Sequence, residues 1–260
     1  MEEYVLICED SMDGILTGVY EAYQFKKNRS IESHDRIHLA TSEPDVYRFF
    51  TEYHRIGTDH TKAEKVTDTI IRQLGDESYY RLSMTMVSCF EDKADAVYHT
   101  IVLGLSTHDR NITDRLQDDY VHRAFRYGRA ANNELNRLRE FLRFSELQNG
   151  MLYAKIDAKH YILPFLMPHF ADRLPAENFV IYDEHADLFG LHPSFKQWYI
   201  LQGVEFDEGR LQFSETEEAY QELFRCFCDS IAIEARINPK LQMNMLPLRF
   251  RPNMTEFKQG

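Results

Sequence analysis

Four residues of the segment HYILPFLMPHFADR have side chains that move protons or hold ions: His160, His169, Asp172 and Arg173. His169 and Asp172 are three positions apart. On a helical turn their imidazole and carboxylate face the same way and can share a proton or bind a metal. Arg173 is suited to holding a phosphate, or to pairing with a neighbouring acid. His169, Asp172 and Arg173 are therefore the candidate catalytic residues of a hydrolase or base-processing enzyme. Capping and packing explain the same residues at least as well. With His160 the segment supplies no more than three ligands, so no metal is expected. Asp183 and Glu184 close a strand-like run and offer a carboxylate for acid–base work, as turns after strands commonly do. Trp198 and Tyr199 have rings that stack on bases, although alternation in a strand also sends such rings to the core.

The familiar phosphate and hydrolase signatures are missing: there is no P-loop, no GxGxxG after a strand, no GxSxG and no HExxH. The four cysteines form no cluster. Cys226 and Cys228, two apart on a helix, point about 200° away from each other, so they read as packed thiols. The chain cannot hold an iron–sulfur cluster by the usual thiolate arrangement. No cofactor is expected, and no independent catalytic activity.

A second constellation is cationic. In DDYVHRAFRYGRAANNELNRLREFLRF, Tyr120, Ala124, Tyr127, Ala131, Leu135, Leu138 and Leu142 recur at spacings of three and four, which predicts one buried helix face. Arg126, Arg129, Arg137 and Arg143 fall opposite, with Glu140 the one acid among them. The C-terminal INPKLQMNMLPLRFRPNMTEF adds Lys240, Arg249 and Arg251 on a path whose prolines forbid a long helix. Both segments are candidates for nucleic-acid or partner binding. The alternative is a solvated helix and a packed strap whose cations neutralise nearby acids.

These cations stand out because the net charge is −12. Residues 1–119 carry 23 acids against 13 lysines and arginines, and residues 120–260 carry 19 against 17. Unselective nucleic-acid binding is excluded by that balance, but a local basic surface in the second half is not. The 43% hydrophobic content is that of a globular chain. No run approaches the ~20 apolar residues of a membrane span, and an acidic N-terminus argues against a signal peptide. A cytoplasmic protein with no membrane contact is expected.

EYVLIC, DSMDGILTGVYEAYQFKK and IHLAT predict a short β-α-β opening. EPDVYRFFTEYHRI begins a further helix by this reading, followed by helices through residue 106. After Phe144 the period changes. SELQNGMLYAKID, HYILPFL, ENFVIYDEHADLFGL and QWYILQGVEF read as strands, with a short helix at MPHFADRLP and a final helix capped by Ser214 and Glu217. The expected fold is α+β: a helix-rich N-terminal lobe with a short β-α-β opening, packed on a C-terminal lobe of antiparallel strands flanked by long helices. The lobes divide at 1–118 and 119–260, and one compact domain is the alternative.

NELNRLREFLRFSEL, GMLYAKID, YILPFLMPHFADRLPAENFVIYD and the proline-rich tail, in that order, resemble a bacterial family called probable DNA metabolism protein, which contains a domain of unknown function. Glu134, Arg137, Phe141, Arg143 and Phe144 match its helix-to-strand segment. His169, Phe170, Asp172 and Arg173 match its turn, and Asn238, Pro239, Leu241, Gln242, Pro247, Arg249 and Phe250 its tail. Asn136 stands where the family commonly has histidine, and NFVIYD where a tryptophan often starts the strand. The resemblance implies a companion: a putative radical-SAM DNA modification or repair protein, with a similar domain elsewhere fused to a uracil-DNA-glycosylase-like module. It brings no catalytic residues. The expected function is thus an accessory of DNA modification or repair that acts with a radical-SAM enzyme and binds DNA through the arginine surfaces. A hydrolase using the His/Asp/Arg cluster and a purely structural interaction protein are the alternatives.

Overall fold

A computed structural model describes residues 2–204, 209, 211–231, 243, 246–254 and 257. Helices and sheets are mixed, as in an α+β protein. The chain divides into two compact units, Met1–Asn132 and Asn133–Gly260.

In the first unit β1 (Glu3–Ile7) pairs in parallel with β2 (Ile37–Ala40) across α1 (Met12–Asn28), giving the β-α-β opening. Ser11 caps α1, its Oγ accepting from the Gly14 amide at 3.0 Å. The stretch EPDVYRFFTEYHRI does not begin a helix as expected. Residues 43–50 are irregular, with Val46, Phe49 and Phe50 exposed, and Thr51–Arg55 form β3. The period explains the correction. Thr51, Tyr53 and Arg55 alternate with Glu52 and His54, so a strand can turn one set to each face and pack His54 on Phe25, ring centroids 5.0 Å apart. β3 runs parallel to β1 on its free edge, in the order β2-β1-β3.

Alternation also sorts the two faces of this sheet. Tyr4, Leu6, Ile37 and Leu39 enter one core with Ile15, Leu16 and Val19 of α1. Val5, His38 and Tyr53 point the other way and line a cleft. The helices α2 (His60–Leu74), α3 (Asp76–Met86) and α4 (Lys93–Thr107) complete the unit. Gly75, at φ 92°, makes the break between α2 and α3 that a side chain would strain.

The helix predicted from the cationic segment is α5 (Asp119–Phe141), and the boundary between units falls within it. Ala124, Tyr127, Ala131, Leu135 and Leu138 are buried as the spacing requires. Gly128 lies where a Cβ would come 2.9 Å from the carbonyl oxygen of Arg81 on α3.

The second unit holds β4 (Ser145–Glu146), β5 (Leu152–Ile156), β6 (Phe179–Asp183), β7 (Leu188–His192) and β8 (Tyr199–Gln202), ordered in the sheet as in the chain. HYILPFL is not a strand. It leads into α6 (Leu163–Arg173), which absorbs the expected short helix. Ile162, Leu163, Leu166, Met167 and Phe170 are buried at helical spacing, and Pro164 sits in the first turn, where its missing N–H forfeits no bond. Because α6 now separates β5 from β6, that pair is a crossover and runs parallel, whereas the other pairs are antiparallel.

α7 (Glu215–Ile231) begins at Ser214, whose Oγ accepts from the Glu217 amide at 3.1 Å. The Glu217 carboxylate accepts from the Glu146 amide, also at 3.1 Å, so half of the expected capping box ties the helix to β4. Within the described part of the tail, Leu248–Asn253 form a 3-10 helix of six residues, on a path whose prolines forbid a long helix. Pro247 precedes it at φ −57°, a value compatible with helix entry. Leu246, Phe250 and Met254 are buried, four residues apart, and Phe250 lies 6.4 Å from the ring of Phe141.

Candidate functional site

In the second unit, His169, Asp172 and Arg173 all lie on α6. His169 is half-buried, and Asp172 and Arg173 are exposed. Burial pushes the His169 imidazole below its usual range, and the charges of Arg139 and Arg173 push it further, against Asp172. Two guanidinium groups, one from α5 and one from α6, thus act on the same imidazole electrostatically. Such surroundings repel a metal cation and favour an anion. Arg139, which the sequence reading did not single out, donates from Nη2 to the Phe165 carbonyl at 3.3 Å, and its Nε is buried without a hydrogen-bond partner among the described residues. Its signal was its place on the same helix as Arg137, hidden by its position toward the buried face; Arg143, expected on that helix, lies beyond its end at Phe141.

The arginines proposed for binding divide between the units. Arg126 and Arg129 are exposed on the part of α5 in the first unit; the Arg126 guanidinium lies 5.1 Å from the Tyr127 ring centre. Arg137 belongs to the second unit, and among the described residues none of these three is paired with a carboxylate. Arg143 donates to the carbonyls of Glu140 and Leu142. Arg249 Nη2 lies 2.5 Å from Oε1 of Glu134, close enough for an ion pair though not aligned as a hydrogen bond. Arg251 donates to the Leu246 carbonyl at 3.4 Å and lies over the Phe257 ring. Lys240 lies outside the described residues, as do Asn238, Pro239, Leu241 and Gln242.

His160 is buried, and its backbone amide donates to Glu134 Oε2 at 3.0 Å. Asp183 is fully buried at the end of β6. Its Oδ1 accepts from the amides of Ala158 and His185, its Oδ2 has no partner among the described residues, and burial pushes its carboxyl up to about 6. Glu184 forms an ion pair with Lys155 at 3.0 Å. Tyr199 is exposed and Trp198 half-buried.

A third constellation was missed. In the first unit, His38 on β2 faces Asp95 and His99 on α4, at the edge of a cleft of about 520 Å3. His38 Nδ1 lies 3.3 Å from both oxygens of Asp95. Asp95 Oδ1 also accepts from the Leu39 amide at 3.2 Å and lies 3.4 Å from His99 Nε2. The contact with Asp95 raises the His38 imidazole pKa. Burial pushes the Asp95 carboxyl up, but the nearby imidazoles of His38 and His99 prevail and hold it at about 2. His99 stacks on Tyr120, ring centroids 4.0 Å apart, and the Arg123 guanidinium lies 4.6 Å from the centre of the Tyr120 ring. Two signals were present in the sequence: Asp95 and His99 are one helical turn apart, and His38 interrupts the apolar alternation of Ile37 and Leu39. What joins them is tertiary.

Cys8 is buried, and Cys89 and Cys226 are exposed. Burial pushes the Cys8 thiol up to about 12, which removes it from nucleophilic chemistry. No helix among the described residues is long and apolar enough to cross a membrane.

Comparison with known proteins gives one family. The model of a domain of unknown function, DUF4130, matches residues 91–256. No curated protein matches the chain.

Proposed function

From the premise that this chain belongs to the DUF4130 family, a domain of unknown function, we propose that it is an accessory protein of DNA modification or repair. It acts with a radical-SAM enzyme and meets nucleic-acid phosphate through the second unit. The partner comes from the resemblance of the helix-to-strand, turn and tail motifs to probable DNA metabolism proteins. The observation that carries the phosphate reading is that Arg139 on α5 and Arg173 on α6 both lower the His169 pKa by their charge. In a protein of net charge −12, two guanidinium groups acting on one half-buried imidazole outweigh the opposing Asp172 and give a local cationic surface. Arg137 on the same helix extends the cationic surface. The acidic residues 1–119 suit a basic partner surface, and the division of labour leaves radical chemistry to the partner.

The test is fluorescence anisotropy of labelled single- and double-stranded oligonucleotides against the full chain over a range of salt. The pair Arg139→Gln and Arg173→Glu should weaken binding and lower the slope of log K against log salt by about two. An unchanged slope and affinity would remove the nucleic-acid assignment. Affinity purification from cytoplasm with and without nuclease tests the partner: recovery of a radical-SAM protein in both supports it, and recovery in neither overturns it.

A further inference from the structure

We propose that His38, Asp95 and His99 form a binding site for one divalent transition-metal ion of the zinc class, with an open coordination position facing the first unit's cleft. The proposal rests on none of the residues of the cationic surface.

Two imidazoles and one carboxylate are the donor set that suits such ions, whereas Mg2+ and Ca2+ prefer oxygen throughout. One ligand atom from each residue lies within 4.8 Å of the others. The shorter edges are more telling. Two ligand atoms bound to a tetrahedral ion at ~2.1 Å sit ~3.4 Å apart. His38 Nδ1 and His99 Nε2 lie 3.3 and 3.4 Å from Asp95 Oδ1. Two edges of a coordination tetrahedron are thus in place, and the third lies within 4.8 Å.

The second observation is an unmet polar atom. His99 is only 6% exposed, yet its Nε2 has no aligned hydrogen-bond partner. A buried ring nitrogen aimed at a carboxylate without a proper bond to it costs free energy that a metal would recover. The surrounding contacts orient the ligands. The Leu39 amide fixes Asp95, Tyr120 stacks on His99, and Asp95 and His99 share one rigid helix. Three protein ligands leave the fourth position to water or to an oxygen of a bound molecule. The cleft there presents Arg48 and Arg123 among the acids Glu3, Glu43, Asp45, Glu91 and Asp92, and Arg123 is paired with Asp92.

The full chain, stripped with chelator, is titrated with Co2+ and the Co2+ displaced with Zn2+. One Co2+ per chain is expected, with ligand-field bands of a nitrogen–oxygen site and no thiolate charge-transfer band from Cys89 or Cys226. His38→Ala and Asp95→Asn should each weaken binding at least about tenfold, while His122→Ala, on exposed α5 surface, should leave it unchanged. Thermal melts of each variant confirm that the fold survives, and Zn2+ should raise Tm in the parent but not in His38→Ala. Absent binding, thiolate bands, or equal affinity in the folded His38→Ala and Asp95→Asn variants would each overturn the site and leave Asp95 as a plain hydrogen-bond bridge between two histidines.

Discussion

The guanidinium of Arg249 lies 2.5 Å from Glu134, a carboxylate only 2% exposed on the second unit's part of α5. The other oxygen of that carboxylate accepts from the His160 amide. One glutamate thus holds the C-terminal 3-10 helix and the segment before α6 to the same turn of α5. Removing the cation alone strands a buried charge. Arg249→Ala should destabilise the second unit by about 3 kcal/mol or more. Adding Glu134→Gln, which keeps an acceptor for His160 but removes the charge, should recover part of the loss. Denaturant unfolding of the double-mutant cycle reads the coupling, and additive effects would show that the two groups do not interact.

Asp183 predicts a pH dependence of a particular sign. Its folded pKa of about 6 stands above the ordinary 3.8, so the unfolded chain loses this proton first as pH rises. Stability from this group is full below pH ~4, falls by about 3 kcal/mol as pH rises to ~6, and is flat above that. Asp183→Asn keeps an acceptor for the Ala158 and His185 amides and has no charge to bury. Its stability relative to the parent should therefore grow between pH 4 and 6, as urea unfolding at several pH values would show. A difference independent of pH would refute the assignment.

If Arg139 and Arg173 press on His169 as described, replacing either with glutamine should move the His169 titration to higher pH. NMR titration of the ring protons measures this directly. Bound oligonucleotide should move it the same way, because phosphate offsets the two cations. A His169 titration indifferent to both substitutions would separate the three residues.

Gly128 is expected to be irreplaceable at modest cost. A Cβ there would stand 2.9 Å from both the Arg81 carbonyl oxygen and Thr85 Oγ1, and a backbone oxygen cannot swing aside. Gly128→Ala gains helix propensity of ~1 kcal/mol but forces α3 and α5 apart, so net destabilisation of about 1–2 kcal/mol is predicted. Thermal unfolding of the variant decides the sign.

The legible parts of this molecule were those with a long period. α5 repeats its apolar face over 23 residues, so Ala124 through Leu138 were found, as were the arginines opposite them. β3 was not, because TEYHR has no apolar residue but tyrosine and gains its place only by pairing with β1. HYILPFL misled because a short apolar run fits a buried strand and a buried helix alike; the burial at 162, 163, 166, 167 and 170 shows the helical spacing. The His38–Asp95–His99 cluster joins residues 57 positions apart in sequence. No local pattern announces such a meeting, and half of it looked like an ordinary amphipathic helix.

The two sheets impose different schedules on a chain emerging from the ribosome. In the second unit the strands pair with their sequence neighbours, so each new strand finds a finished edge, and only the β5–β6 step must wait for a helix to close. In the first unit the earliest strand, β1, is the centre of its sheet. Its β2 edge stays open until Ala40 has been made, and its β3 edge until Arg55 has. The five residues of β1 are therefore those of this sheet most exposed to mispairing, and the acidic Glu2 before the strand and Glu3 within it place like charges on neighbouring copies during that interval.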